Sequence, residues 1–532
     1  MEDVIRPRRV TPVYAARGMC ATSNYLAAQA GLDVLKRGGN AFDAAVATAA
    51  CLTVLEPQSN GVGGDAFALI YAGGRLYGLN ASGWSGSGCT LEALRARGLT
   101  AMPRYDFASV TVPGVPSAWA AVSRRFGKLT LRETLRAAVG YAEEGQAVSE
   151  GLARMAARFA GLLREKTGGT GPFAHWYETF CPDGTPPQAG AIFRNPDLAQ
   201  TLRTLGDSES EDFYRGALAK RIAAFSAGHG GFITEDDLRD YRPEWVEPVS
   251  VRYRGYDVCE IPPNGQGLVA LMALNILSGF EPSVYGSAAC VHREIEALKL
   301  AFADGKRYIA DPRFMDCTVR DLLSPAYGAQ RRAEIGERAL LPVCGRPQGS
   351  GTVYLCAADA EGNMISYIQS NYTGFGSGLV VPHTGIALQN RGLGFSLDPA
   401  LPSCAGPRRK PYHTIIPGFL MKDGAAVGPF GVMGGFMQPQ GHLQTLLRVI
   451  DHGADPQAAL DTPRWQWTGE RQIEVEPFFP ADLADALRAR GHELTVQPNL
   501  GEFGRGQMIF RTAAGTLVGG TEPRCEGACA AW

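Results

Sequence analysis

The chain has 532 residues, 45% of them hydrophobic and 20% charged, and a formal net charge of -2. Those values describe a soluble globular protein too long for one ordinary core. The near-neutral balance and the even spread of Arg and Lys argue against a nucleic-acid footprint, and no window is apolar for long enough to cross a bilayer. Residues 1–13 (MEDVIRPRRVTPV) lack the apolar stretch of a secretory signal, so a cytoplasmic location is expected. The twelve cysteines are scattered without a CxxC pair, as suits buried thiols in a reducing compartment. Cys525 and Cys529 are two ligands and not a site, and the histidines show no metal-ligand spacing, so neither metal nor cofactor is expected. The short basic run Arg408-Arg409-Lys410 reads as a solvated loop.

In chain order, residues 25–37 carry apolar side chains at helical spacing and stop at Gly38-Gly39. Asn40 then caps a second helix over 41–55 that is apolar nearly all round, which requires further layers outside it. Residues 56–64 (EPQSNGVGG) break this helix. Gly61 to Gly64 lack the spacing and following Lys of a phosphate loop and read as a packing turn. Residues 65–71 (DAFALIY) form a strand. Helices dominate 117–227, apart from Gly- and Pro-rich loops near 168–190, and Thr234 caps another helix start. Residues 249–260 read as a hairpin and 290–308 as an amphipathic helix. The Gly- and Pro-rich stretch 341–351 is expected to be an exposed, mobile connection. Beyond it, strands over 353–359 and 364–370 pair around the turn Glu361-Gly362-Asn363. With no fixed-period repeat, the pattern indicates a layered α+β architecture.

The junction Gly349-Ser350-Gly351-Thr352 carries the chemistry. A Thr at the head of a core strand, behind a glycine loop, is placed for attack on the preceding carbonyl, and Gly351 tolerates the strained backbone this needs. A freed α-amine at Thr352 would titrate at about 7.7–8.0 and serve as base for its own hydroxyl.

Several long motifs in order carry a resemblance over nearly the whole chain. They are GLDVLKRGGNAFDAAVATAACLTVLEPQSNGVGGDAF (31–67), VTVPGVPSAW (110–119), FYRGALAKRIA (213–223), GGFITEDDLRDY (230–241), PPNGQG (262–267), EALKLAFADGKRYIADP (296–312) and GTVYLCAADAEGNMIS (351–366). With them the chain resembles the γ-glutamyltransferase family of N-terminal-nucleophile hydrolases. The resemblance implies a four-layer αββα sandwich made by both products of a self-cleaved precursor. These are a large chain, 1–351, and a small chain, 352–532, cut between Gly351 and Thr352. It implies Thr352 as nucleophile, Ser370 as the hydroxyl bonded to it, and Gly434 and Gly435 as oxyanion-hole N–H donors. By family analogy, the assembly is a dimer of heterodimers.

Departures from the family pattern bear on the substrate. The arginine–glutamate motif that binds the α-amino acid is replaced by Asn80-Ala81-Ser82-Gly83-Trp84. The ammonium-binding aspartate becomes Gly394, the serine pair becomes His413-Thr414, and an asparagine becomes Tyr372. Losing both counter-charges of a zwitterion disfavours a γ-glutamyl group, since one charge-assisted hydrogen bond is worth about 1.5–3 kcal/mol. Arg391 stands where the family usually has an uncharged residue and suits a carboxylate held by two parallel hydrogen bonds. With Asn371, Tyr372, His413 and Thr414 it outlines a site for a compact acid amide. The pattern resembles the branch containing an oxamate amidohydrolase of purine catabolism and cephalosporin-acylase-like proteins. Hydrolysis of oxamate to oxalate and ammonia is therefore expected. Glutathione or γ-glutamyl chemistry, acylase action on β-lactam-type amides, and an uncleaved binding protein are the alternatives.

Overall fold

A computed structural model describes residues 11–281, 283–342 and 351–532. The hairpin behind the junction consists of strands Gly351–Asp359 and Met364–Tyr372, both reaching two residues closer to the junction than their apolar alternation indicates. The Asp359 carboxylate forms the turn by accepting the N–H groups of Glu361 (2.9 Å) and Asn363 (3.1 Å). It also accepts the N–H of Ala41 at 2.9 Å, tying the hairpin to the positive end of helix Ala41–Leu55.

Alternation along the first strand separates two cores. Val353, Leu355 and Ala357 pack against helices, whereas Tyr354, Cys356 and Ala358 face a second sheet. The first seven-stranded sheet runs in the order Ala528–Ala531, Gly18–Thr22, Gly351–Asp359, Met364–Tyr372, Asp65–Ala72, Arg75–Ala81 and Glu244–Val246. The second, also of seven strands, runs Val13–Ala15, Leu517–Thr521, Arg505–Arg511, Ala425–Met433, Gly418–Lys422, Tyr256–Glu260 and Val249–Tyr253. Helices Tyr25–Lys36, Ala41–Leu55 and Val115–Phe126 cover the outer face of the first sheet, and Leu131–Glu144 packs on Ala41–Leu55. Helices Gly267–Leu277, Met437–His452 and Pro456–Asp461 cover the second, and Ala288–Tyr308 packs on the first two of these. The result is the four-layer αββα sandwich that the resemblance implies.

Helix Ala41–Leu55 is buried along its whole length and starts with the capping box Asn40/Asp43, satisfying its first N–H groups. The 61–64 turn is a packing turn. A Cβ on Gly63 would stand 2.2 Å from the Ala387 carbonyl, and one on Gly64 2.5 Å from that of Ser370. One surface expectation is corrected, because the basic run is not a solvated loop. Lys410 is buried and pairs with Glu244, Arg408 pairs with Asp237 and Asp240, and Arg409 lies over the Phe314 ring. Most of the predicted mobile connection, 343–350, lies outside the described residues. No helix among the described residues is long and apolar enough to cross a membrane.

Candidate active site

Thr352 sits where the hairpin register slips. Val353 is opposite Gln369, but Gly351 is opposite Tyr372, so the partner strand carries one extra residue beside Thr352. Such bulges re-aim side chains and cluster next to active sites. Thr352 has the same strand parity as Tyr354 and Cys356, so it faces the space between the sheets, where it is fully buried. Its Oγ1 lies 3.1 Å from Ser370 Oγ, and Ser370 Oγ accepts the Tyr372 N–H at 2.8 Å. Tyr372 itself has a φ of 76°, a left-handed conformation that costs a non-glycine residue energy and is held here by its surroundings.

From Tyr372 a chain of contacts runs along the inter-sheet space. The Arg391 guanidinium lies over the Tyr372 ring, 4.2 Å from its centroid. Arg391 Nη1 donates to Thr414 Oγ1 at 2.8 Å, and its Nε is 3.7 Å from Asp65 Oδ2. Nε and Nη2 of this fully buried arginine have no hydrogen-bond partner among the described residues. Burial lowers the Arg391 pKa to about 10, against the opposing effect of Asp65. Asp65 Oδ2 accepts His413 Nε2–H at 2.8 Å, while His413 Nδ1 accepts the Ile415 N–H at 3.4 Å. Both ring nitrogens are thereby committed to one neutral tautomer. Burial, reinforced by Arg391, holds the His413 pKa down at about 4.

Gln266 joins this group to the second sheet. Its side-chain amide donates to the carbonyls of Thr414 (2.7 Å) and Gly435 (2.8 Å). Gly434 (φ 139°) and Gly435 (φ 62°) follow strand Ala425–Met433 and lead into helix Met437–His452. Their carbonyls accept the N–H groups of Met437 and Gln438. Their own N–H groups have no acceptor among the described residues. Free N–H groups at a helix N-terminus attract negative charge.

The structure thus connects Thr352, Ser370, Tyr372, Arg391, His413, Thr414 and Gly435 through side-chain and backbone contacts. Asn371 stands apart. Strand alternation turns it to the opposite face, where its amide lies over Gly61 and Gly64 and makes no hydrogen bond. Two participants do not emerge from the sequence reading. Asp65 announces itself only as an acid heading an otherwise apolar strand, and Gln266 only as one of the two polar members of PPNGQG.

A second buried group lies against helix Ala288–Tyr308. His292 and His492 hydrogen-bond to each other at 2.8 Å, and Glu296 accepts Lys299 Nζ at 2.7 Å and the Leu340 N–H at 2.9 Å. The Lys299 ammonium occupies the carboxylate oxygen nearest His492, so the group is a hydrogen-bonded cluster with its own cation.

A profile of the gamma-glutamyltranspeptidase family matches residues 27–532. The chain is 37% identical to the glutathione hydrolase-like YwrD proenzyme of Bacillus subtilis, over 97% of this chain and 98% of that one. It is 36% identical to the oxamate amidohydrolase proenzyme of Klebsiella pneumoniae, over 97% and 99%. The crystal structure of cephalosporin acylase from Bacillus halodurans superposes with a TM-score of 0.97 at 53% identity, covering 100% of this chain and 99% of that one.

Proposed function

The chain belongs to the gamma-glutamyltranspeptidase family, and we propose that it is a self-processing threonine hydrolase of a small carboxylate-bearing amide. The observation that carries this reading is the continuity between the Thr352–Ser370 hydroxyl pair and a buried arginine with an unused hydrogen-bonding edge.

In processing, Thr352 Oγ1 attacks the Gly351 carbonyl, the peptide bond gives way to an ester, and water hydrolyses it. This leaves a large chain ending at Gly351 and a small chain beginning at Thr352. In turnover, the freed α-amine takes the Thr352 hydroxyl proton and delivers it to the departing nitrogen. The acyl group passes to Thr352 as an ester, and water then releases it as the acid. Gly434 and Gly435 N–H groups stabilise the oxyanion, each such donor being worth about 2.7–4 kcal/mol. The Nε–Nη2 edge of Arg391 takes the substrate carboxylate, Tyr372 covers the guanidinium face, and Thr414 fixes Nη1. His413, neutral, spends its one ring N–H on Asp65 and so lines the site without donating to substrate. Asn371 seats the 61–64 turn.

A site with one arginine, whose neighbouring carboxylate Asp65 is already held by three donors, suits oxamate, giving oxalate and ammonia. The free thiols at the described cysteines support a cytoplasmic setting. A second reading has its own support, namely the 53% identity to a cephalosporin acylase. In it the same nucleophile removes the acyl side chain of a β-lactam-type amide.

Intact mass spectrometry of the wild type and Thr352→Ala tests the mechanism. Two chains, one beginning at Thr352, are expected for the wild type, and a single chain for the variant. A wild type that stays whole would overturn it. Ammonia release from oxamate, set against amine release from γ-glutamyl-p-nitroanilide and from an acylated cephalosporin, decides the substrate.

A further inference from the structure

Asp65 takes no part in the bond-making steps, yet it is the most heavily hydrogen-bonded acid at the site. It opens strand Asp65–Ala72 and is paired in register with Ser370, so it shares the inter-sheet face with the hydroxyl that touches Thr352. Its carboxylate is fully buried. Oδ1 accepts the Gly83 N–H at 3.1 Å and Gln389 Nε2–H at 2.8 Å, and Gln389 is braced in turn by Thr111 at 2.9 Å. Oδ2 accepts His413 Nε2–H at 2.8 Å and faces Arg391 Nε at 3.7 Å. Three donors therefore fix the carboxylate without help from the arginine. The remaining separation is too long for a hydrogen bond but short enough for strong attraction at a buried site.

We propose that Asp65 is the positioning residue of the Arg391 pocket: a fixed counter-charge that keeps the buried guanidinium charged while leaving its Nε–Nη2 edge open. The proposal rests on the reading of Arg391 as the carboxylate anchor. A buried cation without a partner either distorts its surroundings or loses its proton. A direct bidentate pair with Asp65 would instead close the edge to substrate. The observed spacing avoids both. It also makes the site neutral, because Arg391 and Asp65 cancel and His413 is held uncharged through both ring nitrogens. One bidentate edge in a neutral pocket admits a substrate with a single carboxylate, and a second anionic group would meet Asp65. The other charged or titratable groups facing this set are Tyr372, stacked on Arg391, and the buried Tyr214 and Tyr241 beside Asp65, with Lys410 and Arg104 also acting on it.

Two measurements test this, one of them independent of any substrate. The first is a double-mutant cycle on unfolding with Asp65→Asn, Arg391→Met and the double variant. Asp65→Asn orphans a buried charge, so each single variant unfolds earlier than the wild type. The double variant, with both charges gone, is expected to lose less than the sum. Additive losses would overturn the pairing. The second is KM and kcat for oxamate between pH 6 and 10. Asp65→Asn is expected to raise KM roughly tenfold, with the rise steepening above neutral pH as Arg391 loses its proton earlier. Self-cleavage and kcat should stay close to wild type. A KM unchanged across that range would refute the positioning role, since a merely structural loss does not move a pH profile. Arg391→Gln separates the two levels. If it too leaves KM unchanged, the anchor reading falls. If it alone raises KM, only the role of Asp65 falls.

Discussion

Replacing Ser370 by Ala removes an oxygen that touches both the Thr352 hydroxyl and the Tyr372 N–H. The Tyr372 N–H, 2.8 Å from that oxygen, is left in a buried site with the backbone at a φ of 76°. An orphaned buried donor costs about 1–3 kcal/mol, and the loss falls on stability. The Thr352 hydroxyl, 3.1 Å from the same oxygen, loses the neighbour that orients it. A net hydrogen bond is worth about 0.5–1.5 kcal/mol, which corresponds to roughly a two- to tenfold loss in rate. The two consequences are read separately. Denaturant unfolding reports the first, and the time course of chain separation on a denaturing gel, with amide hydrolysis by the cleaved protein, reports the second. A folded Ser370→Ala protein that cleaves itself and turns over substrate at the wild-type rate would show that the Thr352–Ser370 contact is packing alone.

Two further outcomes follow from buried groups. Lys299→Met leaves the Glu296 carboxylate without its ammonium in a fully buried cluster, and breaking such a pair costs about 3–5 kcal/mol. Denaturant unfolding should show the loss, and Lys299→Met with Glu296→Gln should recover part of it. A single variant as stable as the wild type would contradict the pairing. His413 titrates near 4 in the folded protein against an ordinary 6.5, so between these values the unfolded chain binds more protons and stability rises with pH. Acidification from above 6.5 towards 4 should remove up to about 3 kcal/mol through this residue. His492, held near 3 by burial and the Lys299 charge, acts in the same direction. His413→Gln should therefore flatten the pH dependence of the unfolding midpoint without abolishing it, and an unchanged slope would count against the neutral tautomer.

What the sequence reveals follows the distance over which each feature is determined. The capping boxes at Asn40 and Thr234, the 359–363 turn and the hairpin around it are set by neighbours a few residues apart, so composition exposes them. Gly63 and Gly64 are recognisable as a packing turn because so dense a glycine run indicates close backbone approach. The pocket is different. Asp65 and His413 meet across 348 positions and Gln266 and Gly435 across 169, and no local pattern encodes such a meeting. Arg391 is visible as a candidate only through its departure from the family pattern, and its open edge emerges only when Asp65 and Thr414 are seen around it. The basic run at 408–410 is misread for the same reason, because its partners Asp237, Asp240 and Glu244 lie far back in the chain.

The order of strands in the first sheet has a consequence for the life of the protein after scission. Strand Gly18–Thr22 is inserted between Gly351–Asp359 and Ala528–Ala531, and Asp65–Ala72 lies against Met364–Tyr372. A cut before Thr352 would leave two polypeptides interleaved strand by strand, neither with a complete sheet of its own. Separating them requires unzipping hydrogen-bonded ladders on both sides, so the nicked molecule would persist by slow dissociation. Once unfolded, its pieces would have to find each other in a second-order encounter. The intact precursor folds with those strands tethered at high effective concentration. Its assembly would be used once, and the durability of the mature form would be governed by an escape rate instead of an equilibrium.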